Sequence, residues 1–313
     1  KIGQNIKYDL KILSRYGVSI KGKLFDTMIA HYLINPDMRH NMDVLSETYL
    51  KYSPKSIEDL IGKKGKDQVS IQEIELSKQA EYVTEITDLT FQLKQIFEKD
   101  LETYQLTKLF NEIEMPVLQV LAYMELEGIK LDVTFLNSLS EKLNEDILKL
   151  EATIYKEADV EFNLASPKQL GDVLFDHLKL VDKPKKTKTG QYATGEEILS
   201  KLAPKHKIVE EILEWRGLVK LKNTYVDALP NEVNSVTGRI HTTYSQAVAA
   251  TGRLSSNNPN LQNIPIRTER GRQVRKAFVA RNDNYSLVAA DYSQIELRII
   301  AALSGDESMI ESF

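Results

Sequence analysis

Between Val133 and Tyr155 the apolar residues Leu136, Leu139, Leu143, Ile147 and Leu150 recur at steps of three and four. That spacing places them on one face of an amphipathic α-helix. Ile113 to Leu126 carries a denser apolar pattern and stops before Gly128, a residue suited to ending a helix. Ser166 followed by Pro167 reads as an N-cap with proline in the first helical position. Thr194-Gly195-Glu196-Glu197 fits a capping box ahead of Ile198 and Leu199. A further helix is predicted from Ile208 through Leu229, ended by Pro230, while Asp182–Gln191 has no periodicity and reads as a mobile basic loop.

The two ends of the chain differ from this helical middle. Toward the N-terminus, helix-like pieces (Ile6–Tyr16, Thr27–Leu33, Ile71 to about Leu109) alternate with a short strand, Leu24–Asp26, and a lysine- and glycine-rich loop, Ser53–Asp67. From Gly238 onward the pattern is β-rich. Arg239–Tyr244, Val274–Val279 and Ser286–Ala290 read as strands, and Ser255–Asn260 is turn chemistry. The fold class expected from these patterns is α+β multidomain. It comprises an α/β unit over residues 1–108, a mostly helical unit over 109–232, and the opening of an α+β unit over 233–313.

Composition narrows the function classes. The 313 residues contain no cysteine, so neither a disulfide framework nor a thiolate metal site is available. No apolar stretch approaches the roughly 18 residues a membrane span needs. The N-terminus Lys1-Ile2-Gly3-Gln4-Asn5 lacks a start methionine and the layout of a signal peptide. The expectation is a soluble intracellular protein with no membrane partner, cut from something longer at both ends. The formal net charge of -4 excludes a uniformly basic nucleic-acid binder but not a local basic surface. Two basic clusters stand out: Lys183, Lys185, Lys186 and Lys188, and Arg267, Arg270, Arg272, Arg275 and Lys276. On composition alone such runs are solvated faces.

Candidate chemistry concentrates near the C-terminus. The apolar run Leu287-Val288-Ala289-Ala290 ends on Asp291, and a helical pattern follows. A carboxylate at a strand tip beside a helix N-terminus can hold a divalent cation against phosphates. Nucleotidyl transfer uses two such ions about 3.5–4 Å apart, held by carboxylates. Asp291 is one candidate ligand, and the backbone carbonyl of Tyr292 is a second oxygen donor.

The run Asp291-Tyr292-Ser293-Gln294-Ile295-Glu296-Leu297-Arg298 resembles motif A of the family A DNA polymerases. The resemblance implies template-directed DNA synthesis, in which the primer 3′-hydroxyl attacks the α-phosphate of a deoxynucleoside triphosphate with two Mg²⁺ ions stabilising the charge. Asp291 and Glu296 are then the catalytic-site residues. Glu296 would be the steric gate that packs under the sugar and excludes a 2′-hydroxyl; without the resemblance it reads as a solvated helix position. Arg298 would pair within its own domain.

A second match precedes it, Gln246 through Ser256 and on to Pro265, with Thr251-Gly252-Arg253-Leu254-Ser255 at its centre. By resemblance Arg253 reaches the DNA minor groove near the primer terminus, where every base pair offers an acceptor. Thr251, Asn260, Gln262 and Asn263 are further DNA-binding candidates, the alternative for this stretch being a hydrogen-bonded turn. Arg239 and His241 also match the family, with no catalytic role assigned. The helical middle resembles the family's thumb. Lys186 and Lys188, with Asn163, Ser166 and Lys168 nearby, lie where phosphate contacts fall, or are only solvated tip residues.

The first hundred or so residues resemble part of an RNase H-like 3′→5′ exonuclease domain. Gly3 through Asp9 matches its second motif, with Asp9 as a metal ligand and Asn5 as a supporting polar group. Tyr82 matches the tyrosine of its third motif, but Ile86 stands where a ligand aspartate is expected. Proofreading is therefore expected to be weak or lost, unless Glu85 or Asp88 shifts in. The implied partners are primer-template DNA and deoxynucleoside triphosphates, for a monomer located in the cytoplasm with the nucleoid. The matching segment covers about half of the family's large fragment, so alone it is expected to bind DNA modestly and not to polymerise. The alternative is a non-catalytic duplex-DNA clamp on the same scaffold, which would need neither Asp291 nor Glu296; a pure exonuclease is disfavoured by Ile86.

Overall fold

The computed structural model describes residues 1–313 except Lys64, Lys66 and Asp67. The N-terminal unit opens with strand β1 (Ile2–Gly3), helix α1 (Ile6–Arg15), strand β2 (Phe25–Asp26) and helix α2 (Thr27–Ile34). β1 and β2 are parallel, with Ile2 opposite Phe25 and Gly3 opposite Asp26. Asp26 explains why both helices start where they do. Its buried carboxylate accepts the Ile6 N–H at 2.7 Å at the head of α1, and the Met28 N–H at 2.9 Å and Ile29 N–H at 3.2 Å at the head of α2. One side chain thus satisfies the unpaired donors of two helix N-termini. Burial outweighs these donors and pushes its carboxyl up to about 6.

Helix α3 (Met42–Leu45), helix α4 (Ile57–Ile61) and the long helix α5 (Leu76–Thr103) follow. α4 corrects the expectation of a loop over 53–67: Ser56 and Asp59 form a reciprocal capping box that stabilises one helical turn. The rest of that expected loop lies partly outside the described residues. Only the second half of α5 is buried, through Leu89, Leu93, Phe97 and Leu101. The short helix α6 (Thr107–Leu109) leads into helix α7 (Met115–Glu127). One core gathers Ile6, Phe25, Ile29, Leu93, Phe97 and Phe110, and it reaches as far as Leu118 on α7.

Strand β3 (Ile129–Leu131) connects α7 to helix α8 (Val133–Ala158), and helices α9 (Pro167–Asp172), α10 (Glu196–Leu202) and α11 (Lys207–Leu221) complete the middle region. The periodic residues Leu136, Leu139, Leu143 and Ile147 are buried as the spacing requires, in a second core that includes Trp215 and Leu218 of α11. Ser166 caps α9 as expected, accepting the Gln169 N–H. Two expectations fail. Gly195, not Thr194, is the N-cap of α10, because Thr194 is turned to Arg216, whose guanidinium donates to its carbonyl at 2.5 Å. α11 ends at Leu221 and passes into a wider π-helical turn, Lys222–Val226, rather than running to Leu229.

The third region contains strands β4 (Arg239–Ile240), β5 (Thr243–Ser245) and β6 (Ser255–Asn257), helix α12 (Glu269–Arg275), strand β7 (Phe278–Val279), and helices α13 (Ile295–Ser304) and α14 (Glu307–Glu311). β3 lies between β4 and β7, antiparallel to both. β5 and β6 form a separate antiparallel hairpin. Part of the expected 255–260 turn is thus a strand, and the turn is confined to the residues after Asn257. The expected strand Val274–Val279 is only its last two residues. Thr268 caps α12 through the Gly271 N–H, which draws Val274 into the helix and buries it. The expected strand Ser286–Ala290 does not form. A strand is stable only when its backbone groups find a partner, and among the described residues none pairs with it. Val288 is 90% exposed and Leu287 57%. No helix among the described residues is long and apolar enough to cross a membrane.

Gly128 occupies the corner between α7 and β3 with φ 66 and ψ -176, a region nearly exclusive to glycine. A Cβ there would lie 2.6 Å from the Ile240 carbonyl and 2.8 Å from the His241 ring. Gly128→Ala is expected to destabilise the chain by about 3 kcal/mol, read as a lowered urea midpoint.

Buried His31 shares a 2.7 Å Nδ1–Nδ1 contact with His40 and meets the Tyr49 hydroxyl at 3.1 Å. Burial, reinforced by His40, takes its pKa down from 6.5 to about 4. The unfolded chain takes up that proton first, so this group's contribution is complete above pH 6.5 and is lost as pH falls toward 4. Asp26 acts in the opposite sense, its contribution being lost as pH rises through about 6. The stability difference between wild type and His31→Asn isolates the histidine; it is expected to be widest above pH 6.5 and to narrow toward pH 4, measured by urea unfolding at fixed pH.

Candidate nucleic-acid interface

The hairpin β5–β6 carries the loop 246–254, and α13 stands beside its tip. Arg253 reaches Glu296 in the first turn of α13 at 3.6 Å, with 77% and 71% of the two side chains exposed. Two segments singled out separately in the sequence thus meet at one place. Thr251 is exposed on the same loop. Asn260, Gln262 and Asn263 are exposed on the strand-to-helix connection that follows β6. Part of their hydrogen-bonding capacity is spent internally: the Asn260 side chain accepts the Gln262 N–H at 3.0 Å, and the Gln262 amide donates to the Leu254 carbonyl at 3.1 Å. Tyr225 donates to the Asn263 carbonyl at 2.6 Å.

Asp291 and Tyr292 are exposed in irregular chain ahead of α13, whose N-cap, Gln294, is left-handed with φ 51. Asp291 is therefore not at a strand tip, because the strand that would have presented it is unpaired. Arg298 fulfils its expected internal role: it donates to the carbonyls of Ser293 at 3.0 Å and Phe313 at 2.9 Å. Asp291 and the Tyr292 carbonyl are oxygen donors of the kind Mg²⁺ takes. Among the described residues, however, no three His, Asp or Glu side chains come together in a cluster able to hold a cation.

In the helical middle, Lys186 and Lys188 are exposed. Their segment is less free than expected: Lys186 bridges to Tyr192 in an isolated β-pair and lies 4.9 Å over its ring, and Tyr192 donates to Asp176 at 2.6 Å. Asn163 and Ser166 spend their side-chain oxygens on the N–H groups of Ala165 and Gln169. Arg239 pairs with Glu127, and His241 contacts the Glu125 carbonyl at 2.7 Å and the Thr237 hydroxyl at 2.6 Å, so both are structural.

In the N-terminal unit, Gly3, Gln4, Asp9, Tyr82, Ile86 and Thr90 help line a cavity of about 370 Å³. Asp9 and Tyr82 are thus brought together, and burial raises the pKa of each, Glu85 and Asp43 adding to the rise at Tyr82. Asn5 occupies the N-cap position of α1 without a side-chain capping bond and is outside this lining. The two acidic neighbours of Ile86 are not among the residues lining this cavity. Glu85 is turned to Tyr52, whose hydroxyl it accepts at 2.5 Å, and Asp88 accepts the Gln92 amide at 2.7 Å.

One group escaped the sequence reading. Glu125 is fully buried on α7, pairs with Lys7 and Lys11 of α1, and accepts the Tyr244 N–H at 2.8 Å. Lys7 also donates to the Tyr244 carbonyl. The signal was available: Glu125 continues the buried face of Leu118, Leu121 and Ala122, and a charge on an apolar face demands a partner.

Comparison with known proteins places these features. The family model for DNA polymerase family A matches residues 133–313, and that for a 3′-5′ exonuclease matches residues 1–102. An exonuclease-type unit joined to a polymerase segment defines the class, and the chain belongs to DNA polymerase family A. Its relatives include DNA polymerase I of Pseudomonas aeruginosa, 44% identical over 100% of this chain and 34% of that protein. DNA polymerase I of Synechocystis is 46% identical over 100% of this chain and 32% of that protein. The chain thus spans about a third of the length of these relatives. Among solved structures, the POL domain of Pol1 from M. smegmatis, in complex with DNA primer-template and dNTP, superposes with a TM-score of 0.83 at 37% identity, covering 100% of this chain and 51% of that one.

The two kinds of ion pair should respond differently to mutation. The exposed Arg253–Glu296 pair is worth about 0–1 kcal/mol, so Glu296→Gln is expected to leave thermal unfolding near wild type. Glu125→Ala strands two poorly exposed ammonium groups and is expected to cost about 3 kcal/mol or more, by chemical denaturation.

Proposed function

We propose that this chain is part of a DNA polymerase that extends a primer on a template with deoxynucleoside triphosphates, working as a monomer on the bacterial chromosome in the cytoplasm. In this reading residues 1–108 are the exonuclease-type unit, 109–232 the thumb, and 233–313 the opening of the palm. The observation that carries it is the meeting of Arg253 and Glu296 at 3.6 Å. An arginine suited to the minor groove then borders a carboxylate suited to the sugar of the incoming nucleotide. Arg253 donates to groove acceptors that all base pairs share, which tests pair shape without reading sequence. Thr251, Asn260, Gln262 and Asn263 contact sugar and phosphate from the same face, and Lys186 and Lys188 contact phosphates farther along the duplex. Glu296 crowds the 2′ position and so selects deoxyribose. Asp291 and the Tyr292 carbonyl would supply part of the oxygen ligands of a bound Mg²⁺, whose charge would offset that of the phosphates.

The Asp9–Tyr82 cavity has an apolar wall at Ile86. We assign it weak or no proofreading. In the full-length protein Ile86→Asp is expected to raise metal-dependent degradation of a mismatched 3′ end by about tenfold or more, in line with the loss when a metal-site residue is removed. Wild-type protein already degrading at the variant's rate would overturn the assignment.

Binding of labelled primer-template duplex, followed by anisotropy across a salt series, tests the polymerase reading. The logarithm of affinity is expected to fall with the logarithm of salt at a slope of about −0.9 per phosphate contacted. Arg253→Ala should weaken binding, and Glu296→Ala in the full-length protein should raise ribonucleotide incorporation. Salt-independent binding, or unchanged sugar selection, contradicts it.

A further inference from the structure

The loop that carries Arg253 is held chiefly by the N-terminal unit. Tyr32, on α2, is only 4% exposed. Its hydroxyl donates to the Ala249 carbonyl at 2.8 Å and accepts the Gly252 N–H at 3.1 Å. The same Gly252 N–H also approaches the Ala249 carbonyl at 3.2 Å. The phenol therefore closes a tight turn from outside, gripping both of its ends. Gly252 permits that turn, with φ 79 and open space where a Cβ would stand. Arg253 is the next residue. Behind the turn, Ala247 packs on the N-terminal core, and buried Gln246 donates to the Glu114 carboxylate at 2.6 Å.

Among the described residues the charged partner of Arg253 is Glu296, itself exposed. A long, flexible side chain held by one solvated ion pair does not define where its guanidinium sits. The definition has to come from the backbone beneath it. The backbone here is pinned by two hydrogen bonds from a buried, rigid aromatic group that belongs to the exonuclease-type unit.

We propose that Tyr32 is a positioning residue for DNA binding: by clasping the Ala249–Gly252 turn it sets the placement of Arg253 against the duplex. The proposal rests on the assignment of Arg253 to DNA contact. It gives the N-terminal unit a part in primer-template binding that is independent of any nuclease chemistry in the Asp9 cavity. That part remains useful whether or not Ile86 has silenced the nuclease site.

The test is a double-mutant cycle on this chain, with fluorescein-labelled primer-template duplex at one fixed salt concentration. Tyr32→Phe keeps the ring in its pocket and removes both hydrogen bonds. It is expected to weaken binding about fivefold, to speed hydrogen exchange at the Gly252 N–H, and to have no further effect when Arg253 is already alanine. Gly252→Ala strains the same turn without touching α2 and is expected to reproduce the loss, which keeps the test open if Tyr32→Phe fails to fold. If Arg253→Ala leaves affinity unchanged, the assignment of Arg253 falls and the proposal with it. If Arg253→Ala weakens binding but Tyr32→Phe and Gly252→Ala do not, only the positioning role is overturned. Equal losses from Tyr32→Phe in both backgrounds would likewise overturn it, since Tyr32 would then act independently of Arg253.

Discussion

The buried carboxylate of Glu125 is the constraint on which the arrangement of the whole molecule depends. A charge with no exposed side-chain surface is tolerated only when its hydrogen-bonding sites are filled. Here they are filled by Lys7 and Lys11 from α1 and by the Tyr244 N–H from β5. Three segments separated by more than a hundred positions are therefore fixed to one another by a single side chain. Low polarity around the cluster raises the penalty for any arrangement that leaves one member unpaired. Helix α1 also carries Asp9, and β5 opens the hairpin that carries Arg253. The Asp9 cavity and the proposed DNA-contacting loop consequently share a foundation.

Gly128 shows the same logic in the backbone. The chain leaves α7, which holds Glu125 and Glu127, and enters β3, the central strand of the three-stranded sheet. The turn must be sharp enough to bring β3 under Ile240 and leave the His241 ring beside the α7 carboxyl end. Only a residue without a Cβ fits between them. Glu127 then pairs with both Arg239 and Arg281, which stitches β4 and the segment after β7 to the end of the same helix. Position and charge at one helix terminus organise a sheet made of strands distant in sequence.

What was legible in the sequence follows from which interactions are local. The period of Leu136, Leu139, Leu143 and Ile147 specified α8 because a helix buries a stripe whatever its partner is. Ser166-Pro167 specified a helix start because the cap is made by its own neighbours. Strands were less legible, since a strand depends on pairing. Val274 looked like strand, yet Thr268 offered a local cap three residues before Gly271, and the helix won. Leu287 and Val288 lie in a strand-like run with no pairing strand among the described residues, so they remain exposed irregular chain. Asp26 was read only as the end of a short strand, and its bond to Ile6 exists only once β1 and β2 lie side by side. At the candidate site, Asp291, Glu296 and Arg253 were found by resemblance, while the contact between Arg253 and Glu296 could not have been. Tyr32 left no mark at all, because a tyrosine on an apolar helix reads as core.

The residues proposed to meet DNA and nucleotide are exposed, and the residues that place them are buried. This division has a physical reason. A group that must bind a charged polymer has to remain solvated and accessible beforehand, so its own contacts within the protein are weak. Arg253 and Glu296 illustrate this, each about three-quarters exposed at the side chain. Accuracy of placement must then come from groups one step behind, where water is excluded and a hydrogen bond has fewer competitors. Tyr32 and Gln246 occupy that second position under the loop, and Glu125 stands under the strand that leads into it. Tyr32 belongs to the N-terminal unit, Gln246 is answered by Glu114 just ahead of α7, and Glu125 on α7 is answered by Lys7 and Lys11. The loop that carries Arg253 and the strand leading into it thus rest on the N-terminal fold, which gives that fold a structural part apart from any chemistry in its own cavity.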